Sequence, residues 1–170
     1  QRDVRLTAAH VDVGDIGNRR HQVRMVGLEY TVPDRLSAAK TRERLFVLTD
    51  IGGDPDDQMS MVRLLTYANH IDIEGLVATP QGRQHNVAPE QIQRIVEAYG
   101  KVRDNLERHE PGFPTAETLR GRISQGIAFD GMAGVGEGKD SPGSELLIRA
   151  ADRGDARPLW VAGWGGPNVL

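Results

Sequence analysis

The sequence has no cysteine, no long apolar run and no dominant sign of charge. Without cysteine, a disulfide framework and thiolate chemistry are excluded. No apolar stretch approaches the length that crosses a bilayer, so we expect no membrane partner. The net charge of -3 over 170 residues gives no reason to expect nucleic acid as a partner. With 38% hydrophobic residues, the chain has the composition of a soluble protein and is long enough for one domain with a core.

The chain changes character near residue 44. Residues 1–43 are rich in arginine and polar side chains with only weak strand-like stretches, which predicts a poorly ordered or loosely attached lead-in. A hairpin that adds to a sheet edge is the alternative for this segment. From there onward, apolar runs alternate with helical patterns, which predicts a separate folded unit over residues 44–170.

The folded unit alternates predicted strands and helices, an order typical of an α/β fold with an open, mostly parallel sheet. Residues 110–140 are rich in glycine and proline, which predicts mostly loop with one short helix near residues 115–121. The last strand is followed by a loop and no helix, so we expect a domain truncated at its C-terminus. The predicted strands cover residues 45–49, 71–79 and 159–162, and the longer helices cover residues 58–69, 89–107 and 142–151.

An acidic loop, residues 50–57 with the sequence DIGGDPDD, separates the first predicted strand from the first helix. In open α/β sheets, ligands bind at the carboxyl ends of the strands, which is where this loop lies. The carboxylates of Asp50, Asp54, Asp56 and Asp57 repel one another unless water, donor groups or a cation offset their charge. Because calcium prefers such oxygen ligands, the loop predicts a site for a hard divalent cation.

Helix capping is the competing interpretation of the same loop. Asp54 suits the N-cap position, Pro55 suits the first helical turn, and Asp56 and Asp57 suit the positive N-terminus of a helix. Capping therefore explains three of the four acids. It explains neither Asp50 nor the two adjacent glycines, and this surplus of charge favours a site.

Six motifs recur along the folded unit: LTDIGGDPDDQ at residues 48–58, VRLL at 62–65, IEGLVAT at 73–79, GEG at 136–138, RPLWV at 157–161 and WGG at 164–166. Together they resemble the nucleoside-hydrolase-like domain of bacterial proteins that are often labelled cellulose-binding. The motifs recur in the order of that family, so the resemblance extends over residues 44–170 and leaves residues 1–43 outside it.

That family is in turn similar to the inosine–uridine nucleoside hydrolases, in which a loop of the form D-x-D-P-G-x-D-D holds calcium. The resemblance implies that Asp50 and Asp57 bind calcium, with Asp54 as an additional ligand. This alignment needs an insertion in the loop, whereas the alignment without one places Gly52 at the central acid. A G-x-T-N-like turn supplies a carbonyl ligand in those enzymes, and Pro167 falls at that position here; proline keeps its carbonyl oxygen.

The resemblance implies a metal-dependent hydrolase of glycosidic bonds that acts on a small sugar, a nucleoside or a polysaccharide. In such an enzyme Asp50 is the catalytic base that activates water, and Asp56 and Asn168 bind the substrate. An extracytoplasmic location is expected from the family alone. The alternative is a non-catalytic carbohydrate-binding module on the same fold, which recognises cellulose. A third interpretation is a structural remnant in which the acids only cap the helix.

Two departures from the enzymes weaken the enzymatic interpretation, and the first of them fits the binding module. The asparagine that follows their second strand corresponds to Pro80, which has no amide to offer a ribose hydroxyl. Their last acidic ligand and a nearby histidine correspond to positions beyond Leu170, and His85 is more typical of an exposed loop than of a catalytic site. Glu137 and Trp164 are weaker candidates for the pocket, because loop glutamates are usually exposed and tryptophans are usually buried.

Overall fold

A computed structural model describes residues 41–81, 86–129 and 131–170 of the chain. Four strands form one sheet in the order β3-β2-β1-β4, and each neighbouring pair is parallel. This confirms the predicted α/β fold with an open, mostly parallel sheet. The elements in chain order are β1 (Glu43–Thr49), α1 (Pro55–Leu65), β2 (Ile71–Ala78), α2 (Pro89–His109), α3 (Ala116–Arg120), β3 (Ile123–Gln125), a 3-10 turn (Gly131–Gly134), α4 (Pro142–Asp152) and β4 (Leu159–Gly163).

Two hydrophobic cores lie on opposite faces of the sheet. Successive side chains of a strand point to opposite faces, so Val47 packs in the core with α1, α2 and α3. Phe46 and Leu48 pack in the second core with α4 and β4. All three side chains are completely buried, as expected for a parallel sheet that is covered on both faces. The packed strands therefore hold the loops at their carboxyl ends along one edge.

The starts of the three longer helices follow from local sequence. Pro55, Pro89 and Pro142 each occupy the first turn, where the missing proline N–H costs no helical hydrogen bond. Ser141 caps α4, because its hydroxyl accepts the Ser144 N–H at 3.0 Å while the Ser144 hydroxyl accepts the Ser141 N–H at 2.8 Å. α2 and α4 begin at residues 89 and 142, as predicted from the sequence, whereas α1 begins at Pro55, three residues earlier than the predicted helix.

Two sequence predictions for this region were wrong. The helix expected over residues 58–69 ends at Leu65, because the Thr66 N–H and hydroxyl both bond to the Arg63 carbonyl, at 3.1 and 2.7 Å, and close a turn. The stretch Ile123–Gln125, expected to be loop, pairs with β2 as a parallel strand. Three residues are too few to show the alternation that identifies a strand in a sequence.

The start of β1 is tied to the rest of the fold. The Arg42 guanidinium donates to the Gly112 carbonyl at 3.0 Å, and the Arg157 guanidinium donates to the Arg42 carbonyl at 2.6 Å. Residues immediately before position 44 therefore contact the folded unit. Most of the predicted lead-in falls on residues 1–40, outside the described residues, and stays a prediction. In the described part of the chain, no helix has the length and apolar character needed to span a membrane.

Candidate functional site

The candidate site lies where the loops after β1, β2 and β4 meet at one edge of the sheet. The Trp164 N–H donates to the Leu48 carbonyl at 2.8 Å, which joins the end of β4 to the end of β1. The Thr79 N–H donates to the Thr49 carbonyl at 2.8 Å, which joins the end of β2 to the same strand. The acidic loop and the glycine-rich turn after β4 are therefore neighbours in space, although more than a hundred residues separate them in the sequence.

Asp50 and Asp57 form an acid pair at this edge. Asp57 is buried in the first turn of α1, and Asp50 is half-buried at the tip of β1. Burial raises the pKa of Asp57 to about 6; a hydrogen bond from Thr49 opposes that shift, whereas the hydrogen bond with Asp50 and the charges of Asp50 and Asp56 add to it. Two carboxyl groups that interact this closely favour either a shared proton or a cation between them.

The turn after β4 makes room for Asp50. A Cβ built on Gly165 would overlap the Asp50 carboxylate, so only glycine lets that side chain lie against the turn. The Thr79 hydroxyl donates to the Gly165 carbonyl at 2.8 Å and fixes the turn. Gly166 has a φ of +57°, a backbone conformation that favours glycine. A Cβ at this position would also crowd the Thr79 side chain.

Asp54 and Asp56 are exposed, unlike the acid pair. Asp54 occupies the N-cap position of α1, as predicted, but its side chain makes no capping hydrogen bond. Asp56 uses one carboxylate oxygen to accept the Asp57 N–H at 3.0 Å. Asp56 and Asp57 lie in the first turn of α1, as the capping interpretation predicted, where the helix N-terminus favours their charge. The predicted roles of Asp54 as an additional ligand and Asp56 as a substrate contact stay predictions.

A cavity of about 450 Å³ opens beside the acid pair. Asp50 lines it, together with Pro167 and Asn168 of the turn after β4. The Pro167 carbonyl accepts the Leu170 N–H at 3.0 Å and keeps a second lone pair. The remaining lining residues are Pro80, Gly131, Met132, Val135, Gly166 and Leu170.

Asn168 connects this cavity to the loop that precedes α4. Its Nδ2 donates to the Phe129 carbonyl at 2.5 Å, and Gly134 leaves room for the amide, because a Cβ there would crowd Nδ2. The Oδ1 atom is buried and has no hydrogen-bond partner within the described ranges. A buried acceptor without a donor is costly, so this oxygen is suited to a hydroxyl, a water molecule or a cation.

The oxygen atoms available as metal ligands fit a hard cation such as calcium. The carboxylates of Asp50 and Asp57, the Pro167 carbonyl and the Asn168 Oδ1 all offer oxygen, and the acid pair has excess negative charge. Among the residues that the structure describes, no three histidine, cysteine, aspartate or glutamate side chains are grouped as a metal site. The fit therefore rests on two carboxylates supplemented by neutral oxygens.

The weaker candidates lie apart from this arrangement or outside it. Glu137 is exposed and does not line the cavity, and Trp164 is half-buried against the core on the α1 face. His85 lies outside the described residues. Pro80, which the resemblance aligns with the asparagine of the enzymes, is buried and lines the cavity.

Sequence analysis missed the residues that hold the site in place. The Thr49 hydroxyl donates to Asp57 Oδ2 at 2.6 Å, and the Gln81 side chain donates to the Ile51 carbonyl at 2.7 Å. Thr49 and Thr79 each stand at the carboxyl end of a predicted strand, and that position was the available signal. Their acceptors follow only from the three-dimensional arrangement of the loops.

The fold and the acid-bearing edge define a nucleoside-hydrolase-like α/β domain. The chain belongs to the family described as "Cellulose-binding Sde182, nucleoside hydrolase-like domain", whose model matches residues 44–170. The family predicted from the sequence motifs is thereby confirmed.

Among solved structures, the chain is similar to a nucleoside hydrolase-related protein from Saccharophagus degradans that is described as associated with carbohydrate metabolism. The two share 42% sequence identity with a TM-score of 0.70. The match covers 76% of this chain and 32% of that protein, so the chain spans about a third of the length of its relative. No curated protein matches the chain.

Proposed function

We propose that this domain is part of a metal-dependent hydrolase of glycosidic bonds and that Asp50 is its catalytic base. The observation that carries the proposal is the acid pair beside a cavity. Asp50 lines the cavity and interacts with the buried Asp57. In the described part of the chain, neither carboxylate forms an ion pair with lysine, arginine or histidine. A pair of acids without a cationic partner, one of them with a raised pKa, is typical of a ligand site when it lies beside a cavity.

Asp50, Asp57, the Pro167 carbonyl and the Asn168 Oδ1 would hold the calcium ion. Calcium in such a site would orient the sugar hydroxyls and lower the pKa of a bound water molecule. The Asp50 carboxylate accepts a proton from the water that attacks the anomeric carbon. Positive charge develops on the sugar ring as the glycosidic bond breaks and the leaving group departs with the bonding electrons, and the carboxylates of the acidic loop would stabilise that charge. Asp56 is exposed and uses only one carboxylate oxygen for the Asp57 N–H, so its second oxygen can accept a hydrogen bond from a sugar hydroxyl.

The lining of the cavity combines polar and apolar side chains, which fits a glycoside. Asp50 and Asn168 provide charged and polar groups for hydroxyls. Met132, Val135 and Leu170 provide apolar surface, and Met132 is 81% exposed. A substrate that joins a sugar ring to a less polar leaving group satisfies both. A nucleoside is one such substrate.

The test is a comparison of Asp50→Asn with the parent, in the full-length protein with saturating calcium. The substrates are a panel of nucleosides and p-nitrophenyl ribofuranoside, and the release of free base or nitrophenol is measured. Loss of the catalytic base is expected to lower kcat by about 100- to 10,000-fold.

Asp104→Asn is the matched control, because Asp104 is an exposed aspartate on α2 whose side chain is 90% accessible. It is expected to retain the parental rate. Full activity in the Asp50→Asn variant would remove Asp50 from the catalytic role. A parent that hydrolyses none of the substrates would count against the hydrolase as proposed here.

A non-catalytic carbohydrate-binding module is the second candidate, and Pro80 favours it. Pro80 lines the cavity without a side-chain donor or acceptor, whereas the enzymes place an amide there. The family description names cellulose binding. Pull-down on insoluble cellulose, without release of reducing sugar or free base, would favour this candidate over the hydrolase.

A further inference from the structure

The acid pair is held by two threonines that the proposed roles do not use. Thr49 is the last residue of β1, and Thr79 follows the last residue of β2. Both are completely buried. A buried hydroxyl needs a hydrogen-bond acceptor, and each of these two reaches across to a residue of the candidate site.

Thr49 acts directly on one carboxylate. Its Oγ1 donates to Asp57 Oδ2 at 2.6 Å, a short bond of the kind that a charged acceptor makes. The bond fixes the Asp57 carboxylate by one oxygen, so the other oxygen has a defined direction. Because Thr49 is fixed by the β1 ladder, the orientation of Asp57 is fixed by the sheet and not only by the first turn of α1.

Thr79 acts on the other carboxylate through the backbone. Its Oγ1 donates to the Gly165 carbonyl at 2.8 Å, and Gly165 is the residue against which the Asp50 carboxylate packs. The Thr79 N–H also donates to the Thr49 carbonyl at 2.8 Å, so the two threonines are joined to each other. The ends of two adjacent strands thus control the positions of both acids.

We propose that Thr49 and Thr79 are positioning residues that set the placement of the Asp57 and Asp50 carboxylates for a divalent cation. This inference rests on the proposed function, because it assumes that the acid pair binds calcium. Thr49 contributes more to metal affinity than Thr79, since its hydroxyl donates directly to a carboxylate, whereas Thr79 acts through the Gly165 backbone. Groups that orient metal ligands typically contribute about 10- to 100-fold to metal affinity.

The test is isothermal titration of calcium into the full-length protein and its variants, with no substrate present. Thr49→Val keeps the side-chain shape and removes the hydroxyl, and it is expected to weaken calcium binding by about 10- to 100-fold. Thr49→Ser restores the donor and is expected to bind as the parent does. Thr79→Val is expected to weaken binding by a smaller factor than Thr49→Val.

Thr66→Val is the matched control, because the Thr66 hydroxyl also makes a hydrogen bond, to the Arg63 carbonyl, at the far end of α1. It is expected to leave calcium affinity unchanged. If Thr49→Val does not fold, Thr49→Ala removes the same hydroxyl with less steric demand and takes its place.

Three results separate the possible failures. A Thr49→Val variant that binds calcium as tightly as a calcium-binding parent overturns the positioning role and leaves the proposed function standing. A serine variant that loses as much affinity as the valine variant also overturns it, because the hydroxyl is then not the cause. A parent that binds no calcium overturns the metal part of the proposed function together with this inference.

Discussion

The two edges of the sheet hold acidic side chains in opposite electrostatic situations. At the edge where the strands begin, Arg44 Nε lies 2.6 Å from Glu74 Oε1, and Arg157 Nη1 lies 2.6 Å from Asp72 Oδ2. Asp155 at the same edge is bound by both Arg153 and Arg157. At the edge where the strands end, the carboxylates of the acidic loop have no such partners among the described residues.

The pKa shifts of the two edges differ in the same way. Hydrogen bonds from Arg157, and then from Arg153, hold the pKa of Asp155 well below its ordinary value. Burial and the neighbouring Asp50 instead raise the pKa of Asp57 to about 6. One edge therefore uses its charges to join strands and helix, and the other keeps charge that a ligand can neutralise. In an open parallel sheet the second edge is the one at which ligands bind.

We call the edge with the Arg44–Glu74 pair the compensated edge, and the edge with Asp50 and Asp57 the uncompensated edge. The largest effect on stability is expected from Arg44→Met, which breaks the ion pair at the compensated edge. Arg44 is 2% exposed and donates twice to Glu74 and once to the Arg157 carbonyl. Its removal leaves Glu74 Oε2 without this donor while Arg153 still pairs with Glu74 Oε1, so the free energy of unfolding should fall by about 3 kcal/mol, the lower end for a broken buried pair. Urea denaturation measures the loss.

Arg149→Met is the control for that variant, since Arg149 is 64% exposed and pairs with Glu145 on the surface of α4. Its effect should stay within about 0.5 kcal/mol. Equal losses in both variants would show that burial of the ion pair at this edge is not what stabilises the fold.

A smaller effect is expected from Gly165→Ala at the uncompensated edge. The added methyl group would overlap the Asp50 carboxylate and displace either the side chain or the turn. Overpacking of this kind costs about 1–3 kcal/mol, and the displaced carboxylate should also weaken calcium binding. Thermal unfolding with and without calcium measures both effects.

Gly163→Ala tests whether any alanine near the end of β4 has the same consequence. A Cβ on Gly163 meets no atom within 4 Å, so this variant should match the parent in both measurements. A Gly165→Ala protein with the calcium response of the parent would contradict the close packing of Asp50 against the turn.

The uncompensated edge was predictable in its location but not in its internal contacts. The run DIGGDPDD after an apolar strand placed Asp50 and Asp57 at the carboxyl end of β1, because that step needs only local pattern and the rule for parallel sheets. The compensated edge was not anticipated, since its ion pairs join residues as distant in sequence as Arg44 and Asp155. Contacts of this kind depend on the strand order, which periodicity does not determine.

Asn168 illustrates the same limit within the site. Its motif placed it in the turn after β4, and the structure places it on the wall of the cavity. Its hydrogen bond to the Phe129 carbonyl depends on the path of the loop between β3 and α4, and β3 is too short to recognise from the sequence. The substrate role predicted for Asn168 therefore concerns only its Oδ1, because the amide nitrogen is already engaged.

Stability should also depend on pH, and the two edges should give slopes of opposite sign. The folded state keeps a proton on Asp57 up to a pH of about 6, whereas an ordinary aspartate releases it near 3.8. The folded state thus binds more protons between these values, and Asp57 makes the metal-free protein less stable as the pH rises through that window. Asp155 has the opposite shift, so its contribution to stability is lost as the pH falls below about 4.

Melting temperatures of the parent and of Asp57→Asn between about pH 3 and pH 7 isolate the first slope. The difference between the two proteins should grow in favour of the variant from about pH 4 to about pH 6, and saturating calcium at the upper end should reverse it in favour of the parent. The low-pH loss that Asp155 causes should be common to both proteins, because the asparagine lies at the other edge of the sheet. A constant difference in melting temperature across the whole range would mean that the fold does not raise the pKa of Asp57. The two edges would then not differ in the way that their charges indicate.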